Sequence, residues 1–132
     1  MLRSDSRPIR SSDDIVAVRQ QVRQWAVDLQ FSLVDQTKLV TAASELARNT
    51  LDHGGGGRVD LQALAEGTRR GLRLIFEDKG PGIGDIELAL KDGYTTGGGL
   101  GLGLGGARRL CNEFEIVSRR GEGTRVTVTK WR

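Results

Sequence analysis

Cysteine occurs once in this 132-residue chain, at Cys111. A lone thiol excludes an internal disulfide and any metal site built from several cysteines. Aromatic residues are also scarce, at 5% of the chain, and the basic residues are scattered. Their densest points are the pairs Arg69-Arg70, Arg108-Arg109 and Arg119-Arg120. A nucleic-acid surface usually shows a basic stripe, often with interleaved aromatics, so no nucleic-acid partner is expected. The net charge of +3 suits acidic protein partners or phosphate ligands better. No apolar run approaches the ~20 residues of a membrane helix, so no membrane association is expected. The opening Met1-Leu2-Arg3-Ser4-Asp5 has no apolar stretch after its basic residue and does not read as a signal peptide. The expected location is cytoplasmic. The length fits one core, and no repeat or linker divides residues 1–132, so one domain is expected.

What the chain has in excess is glycine. There are 19, eight of them between Gly93 and Gly106. Each costs backbone entropy on folding, so the cluster is either a linker or a loop that must pass close to a ligand.

Hydrophobic periodicity divides the rest. Ser12 or Asp13 can cap a helix whose apolar face is Ile15, Val18, Val22, Trp25, Ala26 and Leu29. A second helix starts near Ser32 to Asp35, carries Leu39, Val40, Ala43, Leu46, Ala47, Thr50 and Leu51, and stops at the glycines 54–57. The period then changes to two. Val59, Leu61, Ala63 and Ala65 alternate with Arg58, Asp60, Gln62 and Leu64, which predicts a strand. Residues 72–77 predict a second strand with Asp78 at its end. A short helix over 85–91, a helix over 104–111 and strands over 114–118 and 124–131 complete the pattern. Residues 1–11 read as either a frayed tail or an edge strand around Pro8-Ile9-Arg10. Strands and helices are partly segregated, so the expected fold is a two-layer α/β sandwich, a mixed sheet with helices on one face.

Three constellations bear chemistry. Glu45, Asn49 and His53 are spaced i, i+4, i+8 on one face of the second helix, with Arg48 and Asp52 beside them. An amide oxygen can ligate Mg²⁺ without adding charge, and a carboxylate one turn away can take a proton from an attacking hydroxyl. Taken alone, the same spacing describes the solvated face of any amphipathic helix. Asp78-Lys79-Gly80-Pro81-Gly82-Ile83 places a carboxylate at a strand end before a glycine turn. It can accept a hydrogen bond from an exocyclic amine while glycine backbone approaches a flat base, or it is an ordinary turn. The third is Thr95-Thr96-Gly97-Gly98-Gly99-Leu100-Gly101-Leu102-Gly103-Leu104-Gly105-Gly106, glycines leading into a helix N-terminus. That arrangement aims N–H groups at an anion. No Gly-Lys-Ser/Thr follows, so it is not a Walker A loop, and the leucines argue against a free linker. Cys111 reads as a core residue. His53 ends a helix, where a cation favours the dipole.

In this order the constellations resemble the GHKL ATPases, the group of gyrase, Hsp90, histidine kinases and MutL. Glu45-x-x-x-Asn49 is similar to their N box, Asp78-x-Gly80-x-Gly82 to the G1 box, residues 97–105 to the G2 box and Gly123-Thr124 to the late Gly-Thr motif. Within that family, Ser44-Glu45-Leu46-Ala47-Arg48-Asn49, the compact glycine stretch and the ending Gly121-Glu122-Gly123-Thr124 to Lys130-Trp131 resemble the RsbT-type serine/threonine kinases of bacterial stressosome partner-switching modules. The resemblance implies a Bergerat-type sandwich binding ATP and Mg²⁺. It implies Glu45 as general base, Asn49 as Mg²⁺ ligand and Asp78 as acceptor for the adenine amine, with Gly80 and Gly82 under the base and Thr124 nearby. Gly97, Gly98, Gly99, Leu100, Gly101, Leu102 and Gly103 would contact the phosphates. The implied partners are STAS-domain proteins similar to RsbS and RsbR, which would be phosphorylated, and a PP2C-type phosphatase similar to RsbU, which the released kinase would activate.

Two alternatives remain open at this point. Anti-sigma factor kinases like RsbW and SpoIIAB share the boxes but usually carry Asn-Ala where this chain has Asn49-Thr50. A non-catalytic nucleotide switch would bind ATP without phosphotransfer, and would not need Glu45. A histidine kinase fits less well, because the only histidine, His53, lies in the ATP-site helix.

Overall fold

Two serines start the two long helices. A computed structural model describes residues 1–84, 86, 90 and 103–132. In it Ser11 is extended, and its Oγ accepts the Asp14 N–H at 3.3 Å, capping α1 (Ser12–Asp28). Asp13 and Asp14 add negative charge to the first turn, where the helix dipole favours it. Ile15, Val18, Val22, Trp25 and Ala26 form the buried stripe. Ser32 caps α2 (Leu33–Asp52) in the same way, its Oγ accepting the Asp35 N–H at 3.2 Å. Ser32→Ala should lower stability by about 1 kcal/mol in urea unfolding, because it strands an N-terminal donor. An unchanged midpoint would show that solvent satisfies that donor equally well. α2 buries Leu39, Val40, Ala42, Ala43, Leu46, Ala47 and Thr50, and it packs against both α1 and α3 (Gly103–Leu110).

The strands are β1 (Arg3–Ile9), β2 (Gly57–Glu66), β3 (Arg69–Asp78), β4 (Glu113–Arg119) and β5 (Gly123–Trp131). Their order is β1-β2-β3-β5-β4. Residues 1–11 thus hold an edge strand, in register from Arg3 opposite Ala63 to Ile9 opposite Gly57. The expectation of a mixed sheet is corrected, since every described pairing is antiparallel. A helix, α3, lies between β3 and β4 in the chain. β4 does run parallel to β3, because both are antiparallel to β5. The β4–β5 hairpin, however, folds back and inserts β5 between them. The expected helix over 85–91 lies largely outside the described residues.

Alternation decides which face is covered. Val59, Leu61 and Ala63 of β2, Leu72, Leu74 and Phe76 of β3, and Val126 and Val128 of β5 are buried against the helices. The opposite face carries Asp60, Gln62, Arg73, Glu77 and Arg125, with Arg73 paired to Glu113 at 3.9 Å. The result is the α/β sandwich expected from the sequence, helices on one side. Among the described residues no helix is long and apolar enough to cross a membrane.

Candidate functional site

β3 continues its core-facing alternation, Leu72, Leu74, Phe76, one step past the core to Asp78. In the sheet Asp78 stands opposite Gly57 on one side and Thr124 on the other. Gly57 and Thr124 follow the same alternation as Val59 and Val126, so the three form a row at the sheet end on the helix side. Asp78 is half-buried. Burial pushes its carboxyl above the ordinary aspartate range, opposed by the N–H groups of Gly80 and Thr124 and by the charge of His53. The Gly80 N–H donates to Asp78 Oδ1 at 2.9 Å.

The end of α2 meets this row. The Asn49 carbonyl accepts from the His53 N–H at 3.0 Å and the Gly54 N–H at 3.3 Å. Gly54 then lies against the Asp78 side chain: a Cβ there would stand 2.3 Å from Asp78 Cγ. Gly80 closes on Gly54 from the other side, where its own Cβ would come within 2.6 Å of Gly54 Cα. The helix bearing Glu45 and Asn49 is therefore keyed directly to the loop bearing Asp78. Both side chains are half-buried, and among the described residues neither has a hydrogen-bond partner. Arg48 and Lys79 are exposed.

The β4–β5 hairpin holds the loop after β3. Gly121 N–H donates to the Pro81 carbonyl at 2.8 Å, and Ile83 N–H donates to Ser118 Oγ at 2.7 Å. Gly82 has φ +78, and a Cβ there would lie 2.2 Å from the Arg119 carbonyl oxygen, so only glycine fits.

The structure thus brings Asp78, Gly80, Gly82 and Thr124 together and joins them to the helix of Glu45 and Asn49. Gly103 is the first residue of α3 and is buried. Gly97, Gly98, Gly99, Leu100, Gly101 and Leu102 lie outside the described residues. Two residues of the cluster were not singled out from the sequence. Gly54 reads there as a helix stop. Ser118 is an inward-facing polar residue at a strand end, after Phe114 and Ile116, and that parity was the available signal. Cys111 is partly buried against the core, and burial pushes its thiol up to about 11, as expected of a packing residue.

The donor set fits a metal that arrives with a phosphate. Among the described residues no group of three or more His, Cys, Asp or Glu could hold a metal ion. An ion at the Asn49 amide oxygen would take its other oxygens from phosphate and water, which is how Mg²⁺ is commonly held.

The family model for histidine kinase-, DNA gyrase B-, and HSP90-like ATPases matches residues 34–132. The chain is 48% identical over 118 residues to the serine/threonine-protein kinase RsbT of Bacillus subtilis (strain 168), covering 89% of each. It is 30% identical over 128 residues to an anti-sigma F factor of Clostridium kluyveri, covering 92% of this chain and 89% of that one. Among solved structures, the RsbU and RsbW domains of a Mycobacterium tuberculosis protein align with a TM-score of 0.66 at 23% identity, over 98% of this chain. This chain spans only 33% of that two-domain protein. The mycobacterial sensor histidine kinase MprB aligns with a TM-score of 0.57 at 18% identity, covering 98% and 97%. These two structures speak to the fold alone.

Proposed function

The chain belongs to the histidine kinase-, DNA gyrase B- and HSP90-like ATPases, and from that membership we propose how this serine/threonine-protein kinase of the RsbT type uses its site. Asp78 accepts from the adenine amine, with Gly80 and Gly82 letting backbone approach the base and Thr124 beside it. Asn49 ligates Mg²⁺, which would offset charge on the ATP phosphates. The phosphates are assigned to residues 97–103 on the resemblance of the glycine stretch to the G2 box. Glu45 is the general base. It takes the proton of a Ser or Thr hydroxyl as that oxygen bonds to the γ-phosphorus, while the bond to the β-bridging oxygen breaks and ADP departs.

The observation that carries this reading is the direct contact between Gly54 and Asp78. It supports the reading because Asp78 then lies at the end of the helix that carries Glu45 and Asn49. The protein substrates are STAS-domain proteins similar to RsbS and RsbR, and the released kinase activates a PP2C-type phosphatase similar to RsbU. Residues 1–132 act as one domain, and the kinase works in the cytoplasm. Identity of 48% to RsbT against 30% to the anti-sigma F factor favours this assignment over an anti-sigma kinase.

The test is incubation with γ-labelled ATP, Mg²⁺ and a STAS-domain protein similar to RsbS. Label should appear on a Ser or Thr of that protein. ATP binding with no transfer to any candidate would instead favour the nucleotide switch. Gly54→Ala offers a second check. Its new methyl overlaps the Asp78 carboxyl, and relief of such overpacking typically costs 1–3 kcal/mol. ATP affinity should fall about tenfold in a folded protein, as read by calorimetry. Wild-type affinity would mean that Asp78 does not need its present position.

A further inference from the structure

α3 has little in its own sequence to hold it. Three of its eight residues, Gly103, Gly105 and Gly106, are glycine, the poorest helix former after proline. Isolated helices below ~12–15 residues are marginal in water, so contacts outside the helix must fix this one. Gly103, Leu104, Gly105, Gly106 and Ala107 are buried, and α3 lies against α2.

Its far end is held by a charge. Lys130 of β5 follows the helix-side alternation of Val126 and Val128, and its side chain is only 9% exposed. Its Nζ donates to the carbonyl of Leu110, the last residue of α3, at 3.1 Å. The same Nζ stands 3.6 Å from Asp35 Oδ1, in the first turn of α2. A helix cannot satisfy its own last carbonyls, and a cation beside them also complements the negative end of the dipole. Asp35 gives the opposite complement at the start of α2. One ammonium therefore ties the end of α3 to the start of α2.

Stability alone does not call for a lysine here. A buried charge loses its hydration, and an apolar side chain of similar volume often serves a fold as well. Apolar packing is non-directional, however. A hydrogen bond to the last carbonyl fixes where α3 stands along its own axis. The other end of that axis is Gly103, the last of the residues assigned to the phosphates. We infer that Lys130 is a positioning residue for the phosphate end of the nucleotide, holding α3 from its C-terminus so that Gly103 keeps its place at the site. The inference rests on the proposal that residues 97–103 contact the phosphates.

The experiment compares wild type, Lys130→Met and Lys130→Arg by calorimetric titration with Mg-ATP and with adenosine. Circular dichroism checks folding. Lys130→Met should lose about tenfold in ATP affinity, the scale of one partly buried charge at a helix end. Its adenosine affinity should hold, because adenosine carries no phosphate. Lys130→Arg keeps a cationic donor and should keep the wild-type ratio of the two affinities. Amide exchange in Lys130→Met should quicken in α3 more than in α2. Lys130→Gln carries the comparison if Lys130→Met does not fold. Equal loss of ATP and adenosine would make Lys130 merely structural and overturn the inference. An unchanged ATP-to-adenosine ratio in the folded variant would overturn it too. If wild type itself binds ATP no more tightly than adenosine, the phosphate assignment fails first, and the inference falls with it.

Discussion

Glu45→Ala should slow phosphotransfer by about 10²–10⁴-fold, the usual contribution of a general base, while ATP binding stays close to wild type. The position permits a clean test. Glu45 lies in the interior of α2, where alanine is the best helix former, and its neighbours Ala42, Leu46 and Ala47 do the packing. The side chain has no described partner whose loss would confuse the result. The base acts when the hydroxyl attacks, so the loss appears in turnover rather than in substrate affinity. Asn49→Ala should behave differently, weakening Mg-ATP binding as well as turnover, because a metal ligand acts in the ground state. Phosphotransfer rate and calorimetric affinity, measured side by side for both variants, separate the roles. Wild-type rates for Glu45→Ala would remove it as the base.

Asp78→Asn should cost roughly 10- to 100-fold in ATP affinity, the range for losing a hydrogen bond to a charged group. The same substitution should leave the nucleotide-free protein as stable as wild type or more so at neutral pH. Burial raises the Asp78 pKa in the folded state. The raised value makes the folded protein favour the protonated carboxyl, so that stabilising contribution is full below the unfolded aspartate pKa. It is lost as pH rises through the folded pKa. Asn carries no such charge, and its amide oxygen can still accept from Gly80. Melting temperatures followed upward from the ordinary aspartate range should therefore show the variant gaining on wild type. A variant that is less stable at every pH would mean that the ionised carboxylate stabilises the fold. The expected pairing, weaker binding with equal or better stability, is the mark of a group retained for its ligand.

Much of this was legible in the sequence, for identifiable reasons. The apolar stripes of α1 and α2 and the alternation of Val59, Leu61 and Ala63 are local patterns, and local patterns survive in one dimension; the cap of α1 is Ser11, one residue before the expected Ser12 or Asp13. Glu45 and Asn49 share a helical spacing, and Asp78 ends a strand before a glycine turn. What was not legible is who sits beside whom. Partly segregated strands and helices read as a mixed sheet, and nothing local says that β5 takes the slot between β3 and β4. Gly54 and Ser118 were missed for the same reason. Gly54 matters because Asp78, far along the chain, touches it. Ser118 matters because Ile83, 35 residues earlier, donates to it.

The placement of β5 also bears on the order in which the protein is made. β5 follows every other described strand in the chain, yet it occupies an inner position beside β3. Until residues 123–131 leave the ribosome, β3 has no partner on that side, Asp78 has no Thr124, and the loop after β3 has no hairpin to hold it. A ligand stabilises only the state that binds it. Cellular ATP therefore cannot guide the earlier helices and strands into place; it can reinforce only a chain whose last strand is already home. A nascent or damaged chain lacking that strand would gain nothing from nucleotide and would stay open to proteases, whereas the finished fold is protected as soon as it can bind.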